Sequence, residues 1–357
     1  MVNFTILAGG FASFIATYVF DSDANTLTLT QQTETGTNPS WIASHPTNLS
    51  ILYATNELNP GGFLQSFTVD PAGGVQNIDN VTTGGNGPTF TVMLSTGEVT
   101  AMNFGSPNCS FIATVPDDPL HFEQDSPVIP FPIPAGAPSN PHMSLEFNDE
   151  VFVPDLGGDK IWRIVRNGPP GNFKVQGQID VDKGTGPRHI AIHDNILFTV
   201  HETASTLTAQ AIPVAPNGTA LPLLANVTTF PADALPGSHN RNISPNVTDP
   251  RGDTIAIFEF VNATSANARR VPRRPLQRQN VGGQLNLVAQ IPTGLQQIRS
   301  MALGRVDDGG DEYIIAGANT VGGVAVFQRV DGGRNLTLIA RNVDLENRTS
   351  FVFVESG

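Results

Sequence analysis

A hairpin that recurs along this 357-residue chain constrains its fold more than any other feature. Each copy has a polar or Pro-led opening, a short apolar strand, a turn, and a second apolar strand ending in Asn, Asp or Glu. The clearest copies are "SWIASHPTNLSILYATNE" (40–57), "PTFTVMLSTGEVTAMNF" (88–104), "PHMSLEFNDEVFVPDLG" (141–157) and "PRHIAIHDNILFTVHE" (187–202); weaker ones lie at 240–260 and 298–319. Their starts are separated by roughly 45–60 residues, with further strand-like stretches such as "GGFLQSFTVD" (61–70) and "GGVAVFQRV" (322–330) between them. Four short strands per unit at that period predict an all-β chain of propeller blades. Six units are visible, and the chain ends supply a seventh, with strands at 4–10, 14–21 and 26–32 joined by "SFVFV" (350–354). The expectation is a seven-bladed β-propeller, a single domain over 1–357, its ring closed by N- and C-terminal strands in one blade.

Composition narrows the partners. A net charge of −13 argues against a nucleic-acid or anionic-membrane surface, since both need clustered cations. No apolar run approaches the roughly 18 residues of a membrane helix. The departure is "ANARRVPRRPLQRQNVGG" (266–283), which carries Arg269, Arg270, Arg273, Arg274 and Arg278 without a strand pattern and reads as a loop insertion. Eleven Asn-X-Ser/Thr sequons stand at Asn3, Asn48, Asn80, Asn108, Asn217, Asn226, Asn242, Asn246, Asn262, Asn335 and Asn347. With 29 Asn in the chain, chance alone gives about four. The excess predicts a secreted glycoprotein carrying N-linked glycans on loops, its signal peptide absent from the sequence as given. The single Cys, Cys109, rules out an intramolecular disulfide, so the fold rests on its core.

In a blade the innermost strand runs along the central channel and the next returns beside it. The start of the first and the end of the second therefore meet at one rim. With a turn at Asp194-Asn195, counting outward pairs Arg188 with His201 and leaves Glu202 one step beyond. With a turn at Asn148-Asp149, His142 falls opposite Asp155. The same rim receives Glu57, Asn103, Arg299 and Asn319, while Asn48 sits at a hairpin tip on the opposite face. A one-residue slip would undo this assignment. The planar fork of Arg188 suits a carboxylate or oxyanion. Glu202 or His142 can serve as a base, with Asp155 orienting His142. The structural alternative bridges Arg188 to Glu202 or Asp155 at a blade junction. His189 alternates away from Arg188 and reads as structural, as do His193 beside the turn and His45. No metal or cofactor signature and no Gly-x-Ser-x-Gly elbow is present.

The stretches "NPHMSLEFNDEVFVPDLGGDKIWRI" (140–164) and "GPRHIAIHDNILFTVHETASTL" (186–207) resemble the paired motifs of the seven-bladed propeller lactonases. That family includes propeller-type 6-phosphogluconolactonases and fungal carboxymuconate cyclases. "NPSWIASHPTNLSILYATNE" (38–57) and "GGQLNLVAQIPTGLQQIRSMAL" (282–303) extend the likeness over nearly the whole chain. It implies a site at the channel mouth in which His142, Arg188 and Glu202 are catalytic, with a small-molecule lactone or carboxylate as partner. Asp155, Arg299, Asn103, Asn319 and Glu57 are the expected substrate contacts. Two places depart from the pattern. "IAIFEF" (255–260) stands where a strand ending in Ser-Asn-Arg is usual, and Ile298-Arg299-Ser300-Met301 keeps only its Arg. The likeness therefore does not extend to a phosphate-binding arginine cluster. The expected activity is hydrolysis of sugar-derived aldonolactones, with a carboxymuconate-type cycloisomerase or a non-catalytic glycosylated binding propeller as alternatives. A calcium-dependent lactonase would use Glu57, Asn103, Asp155 and Asn319, but the motifs point to the other family.

Overall fold

The computed structural model describes residues 3–216, 222–234, 250–262 and 282–354. The Arg-rich run 266–281, the sequons at Asn217, Asn242 and Asn246, and the first half of the 240–260 hairpin lie outside the described residues.

The architecture is an all-β propeller of antiparallel sheets, with six four-stranded sheets among the described residues. The first combines Arg348–Phe353, Asn3–Gly10, Phe14–Asp21 and Thr26–Glu34 in that order from the inside out. The second begins at Pro39–Ser44 and the third at Pro88–Phe90. The fourth begins at Leu145–Phe147 and the fifth at Pro187–His193, each sheet running outward from its innermost strand. Thr254–Asn262 and Gly283–Pro292 form a two-stranded sheet at the sixth position, and the seventh begins at Ile298–Leu303. Among the described residues, helix is confined to two single 3-10 turns, Gly310–Glu312 and Asp331–Gly333. The C-terminal strand pairs with the N-terminal one, Leu7 opposite Val352 and Gly9 opposite Ser350, so both chain ends share one sheet.

Sheets stacked face to face must bury both faces, and the second strand of each unit is accordingly apolar almost throughout. Ile51–Asn56 and Val99–Asn103 are buried at every position. Seven hydrophobic clusters among the described residues each join one sheet to the next. One of them packs Phe4, Tyr18 and Phe20 of the first sheet against Ile315 and Val326 of the seventh. Asp155 is a fully paired buried carboxylate, accepting from Ser139 Oγ, Asn140 N, Gly158 N and Trp162 Nε1 at 2.6–3.0 Å.

The predicted turns form. Asp194 and Asn195 both adopt positive φ (49° and 59°), the requirement of a two-residue type I′ hairpin, and His193 pairs with Ile196 across them. In the fourth sheet the two-residue turn Asn148-Asp149 joins Phe147 to Glu150, with positive φ (54°) at Asn148 alone.

Candidate active site

The inner strands begin with a shared device. A residue in the left-handed region swings the chain onto the axis: Asn38, Gly87, Gly186, Gln297 and Asn347, all with φ between 54° and 65°. The ladder then slips by one residue. Pro39 pairs with Asn56 but Trp41 with Thr55, Pro88 with Asn103 but Phe90 with Met102, and Pro187 with His201 but His189 with Val200. Ser40, Thr89 and Arg188 are the residues left over, each in a β-bulge that re-aims its side chain. Thr349 is skipped likewise between Arg348 and Ser350, and the register breaks across Arg299. Pro suits the first position because it has no N–H to give to the ladder.

These bulges correct the hairpin count. Pro187, not Arg188, pairs with His201 at the end of the fifth-sheet ladder. His201 is buried with Nε2 3.0 Å from Thr208 Oγ1, and burial lowers its pKa to about 4. In the fourth sheet Pro141, not His142, bridges Asp155, and the His142 N–H donates to Pro154 O at 3.0 Å. Asp155 does not orient His142, because its carboxylate is filled by the four donors described above.

The displaced residues converge. Ser40, Thr89, Arg188, Arg299 and Thr349, each from an inner strand, and His142, from the segment just before Leu145–Phe147, line a single axial cavity together with Trp41 and Glu57. Its volume of about 10 Å³ is close to that of one water molecule. Hydrogen bonds run around this ring: Ser300 Oγ donates to Thr349 O (2.6 Å), Thr349 Oγ1 to Ser40 O (2.8 Å), and Arg188 Nη1 to Arg299 O (3.0 Å). The Arg188 guanidinium also forms an ion pair with Glu202, Nε to Oε2, at 2.7 Å. Glu202 thus engages Arg188 from beyond the cavity wall, as in the blade-junction alternative.

Electrostatics sort the titratable groups. Burial, reinforced by the charges of Arg188, His189 and Arg299, holds His142 well below the ordinary histidine value and therefore neutral. His142 is 3% exposed and its Nδ1 lacks a hydrogen-bond partner. Burial raises the Glu57 carboxyl, opposed by the Ser40 hydroxyl and by Arg299 and Arg188.

A second cavity of about 430 Å³ adjoins the first through Trp41, Arg188 and Arg299. Here the residues after the bulges form the wall: Trp41, Phe90, Met143, His189 and Ser300. His189 was expected to face elsewhere. It lies instead against Trp41 (ring centroids 5.5 Å), Phe90 (6.3 Å) and His142 (5.2 Å), and burial beside Arg188 and Arg299 keeps it neutral. Ile255, Ala256 and Phe258 of "IAIFEF" complete an apolar side.

Three expected contacts are placed elsewhere. Asn103 Nδ2 donates to Thr83 O and Asn108 Oδ1, Asn319 Nδ2 donates to Gln297 Oε1, and Asp155 serves its own sheet. None of them lines either cavity. Among the sequons, Asn3, Asn48, Asn80, Asn226 and Asn335 are exposed, whereas Asn108, Asn262 and Asn347 are half-buried. Sequence reasoning missed Trp41, Ser40, Thr89 and Thr349. The repeated Gly/Asn-Pro-x triplets "NPS", "GPT", "NPH" and "GPR" are the signal that marks two of them, Ser40 and Thr89, alongside His142 and Arg188.

No curated protein matches the chain in sequence. Solved structures match its fold at low identity. A Pseudomonas aeruginosa periplasmic gluconolactonase aligns at TM-score 0.76 and 18% identity, over 99% of this chain and 100% of that one. A Bacteroides fragilis protein provisionally assigned as a 6-phosphogluconolactonase gives 0.75 and 17%, over 99% and 98%. A Lactobacillus plantarum protein gives 0.76 and 19%, over 99% and 100%. The family described as "Lactonase, 7-bladed beta-propeller" matches residues 5–264. With that match over most of its length, the chain belongs to the seven-bladed β-propeller lactonase family.

Proposed function

We propose that this protein hydrolyses lactones at the axial end of its channel. The observation that carries this reading is the convergence of Glu57, His142, Arg188 and Arg299 on one small cavity at the foot of a larger one. Lactone opening needs a base for water, donors for the oxyanion and a proton for the departing ring oxygen. Glu57 is the better base. Protonating His142 would place a third cation beside two guanidiniums, whereas burial already favours a proton on Glu57. Water adds to the carbonyl carbon as Glu57 takes its proton, and Arg188 and Arg299 stabilise the oxyanion. Collapse breaks the ring C–O bond, and the proton passes from Glu57 to the alkoxide, leaving a hydroxy acid.

Within the same reading, the 254–292 strand pair is the outer half of a seventh blade, and the pairing of the chain ends closes the ring. The exposed sequons support a glycosylated, secreted protein. Sugar-derived aldonolactones enter through the neighbours' names alone.

The test is a pH-stat screen of lactones on wild type, Arg188→Ala and Glu57→Gln. Each variant should lose about 100-fold or more in kcat. The acid limb of the wild-type profile should lie above the ordinary glutamate value of 4.5, and Glu57→Gln should abolish that limb. Equal rates in wild type and Arg188→Ala would sink the assignment. Isomerisation without net water uptake would favour the cycloisomerase, and no turnover of any lactone would favour the binding propeller.

A further inference from the structure

The walls of the 430 Å³ cavity are unlike a receptor for a polyhydroxylated ring. Trp41, Phe90, Met143, Leu207, Phe258 and Met301 line it, and the positive groups, Arg188 and Arg299, stand together at the end shared with the small cavity. Three of the polar side chains elsewhere on the wall, Thr229, Ser300 and Asp253, are engaged within the protein, which leaves Thr254 and the neutral His189 as the other polar groups facing the cavity. Thr229 Oγ1 donates to Ser205 O (2.9 Å), Ser300 Oγ donates to Thr349 O (2.6 Å), and the Asp253 carboxylate accepts from Ile298 N (2.8 Å). A sugar lactone carries a hydroxyl on nearly every carbon, more than the few polar groups of this wall can satisfy, and each one pressed against its apolar part gives up water without recovering a partner. An aromatic or alkyl body loses nothing there and gains contact with Trp41 and Phe90, whose rings lie 4.6 Å apart. Met301, 50% exposed, would be covered by the ligand.

We propose that this cavity takes an amphiphilic ligand: a lactone with an aryl or alkyl body, or the hydroxy acid it opens to, seated with its carbonyl or carboxylate on Arg188 and Arg299. The proposal uses the site assigned above and rests on that reading for the chemistry, but not for the ligand class.

Calorimetric titration tests it with two anions of equal charge, 3-(2-hydroxyphenyl)propanoate and gluconate, alongside hydrolysis of the parent lactones, dihydrocoumarin and δ-gluconolactone. The aryl acid should bind about 10-fold tighter or more, and dihydrocoumarin should be the better substrate by a similar factor. Met301→Gln, at an exposed wall position, should weaken the aryl acid and leave gluconate unchanged. Val200→Thr, close to isosteric on the same wall, should act in the same direction. Gluconate binding as tightly as the aryl acid, or aryl affinity indifferent to both substitutions, overturns the proposal. Aryl binding without hydrolysis of any lactone upholds the ligand class and rejects the hydrolytic reading. Hydrolysis of δ-gluconolactone with no aryl preference does the reverse.

Discussion

Three histidines are kept neutral inside this protein, and their protonation links its stability to pH. His142 and His189 are held well below the ordinary value, chiefly by burial and then by Arg188, while His201 is lowered from 6.5 to about 4. Below pH 6.5 the unfolded chain therefore takes up protons that the native state refuses. The stabilisation is complete above that pH and falls away toward each folded value. Each histidine removes up to about 1.4 kcal/mol per pH unit across its window. The urea midpoint should accordingly drop between pH 7 and pH 5. His201→Gln keeps a hydrogen-bonding partner for Thr208 and removes one titrating group, so its midpoint should fall less over the same interval. Parallel curves for wild type and variant would show that His201 does not contribute.

At the scale of the element, the strand opening at Gly186 determines where Arg188 points. Gly186 has φ 65°, and a Cβ there would overlap the Thr203 hydroxyl. Gly184 has φ 77° but open space around it. Gly184→Ala should therefore cost only the left-handed penalty, about 1–2 kcal/mol. Gly186→Ala should cost about 2–4 kcal/mol by denaturant titration, and it should lower lactone turnover beyond what stability explains. Equal losses in the two variants would remove the steric argument. The same element shows what was legible beforehand. Asp194-Asn195 and Asn148-Asp149 announce their turns chemically, because Asn and Asp tolerate the left-handed region. The bulges carry no comparable marker in any single unit. A count outward from the turn is correct through His189 and then fails by one at Arg188, which is how His201 and Asp155 were given the wrong partners. Only the triplets compared across sheets expose the slip. The cavity composition was harder still, since Trp41 and Thr349 are separated by 308 positions and meet only once the sheets stack about the axis.

For the whole molecule, the strand Arg348–Phe353 has the largest reach. It is the innermost strand of the sheet that also holds Asn3–Gly10, and Thr349 and Ser350 hydrogen-bond Ser40 and Ile42 of the next sheet. Phe351 and Phe353 sit in the cluster shared with the seventh sheet. Ending the chain at Asn347 would strip an apolar strand from the axis and leave the ladder edge of Asn3–Gly10 bare. Such a truncation should lose its cooperative thermal transition and elute as aggregate on size exclusion. A monomer with native melting would contradict this role of the C-terminal strand. The ring of displaced residues has a consequence for how the protein can change over evolution. Ser40, Thr89, His142, Arg188, Arg299 and Thr349 come from separate sheets at equivalent notches, so each is an address that can be rewritten alone. The cavity is spelled largely in six letters, with Glu57 beside them, and a new chemistry is a matter of respelling while the scaffold keeps its grammar.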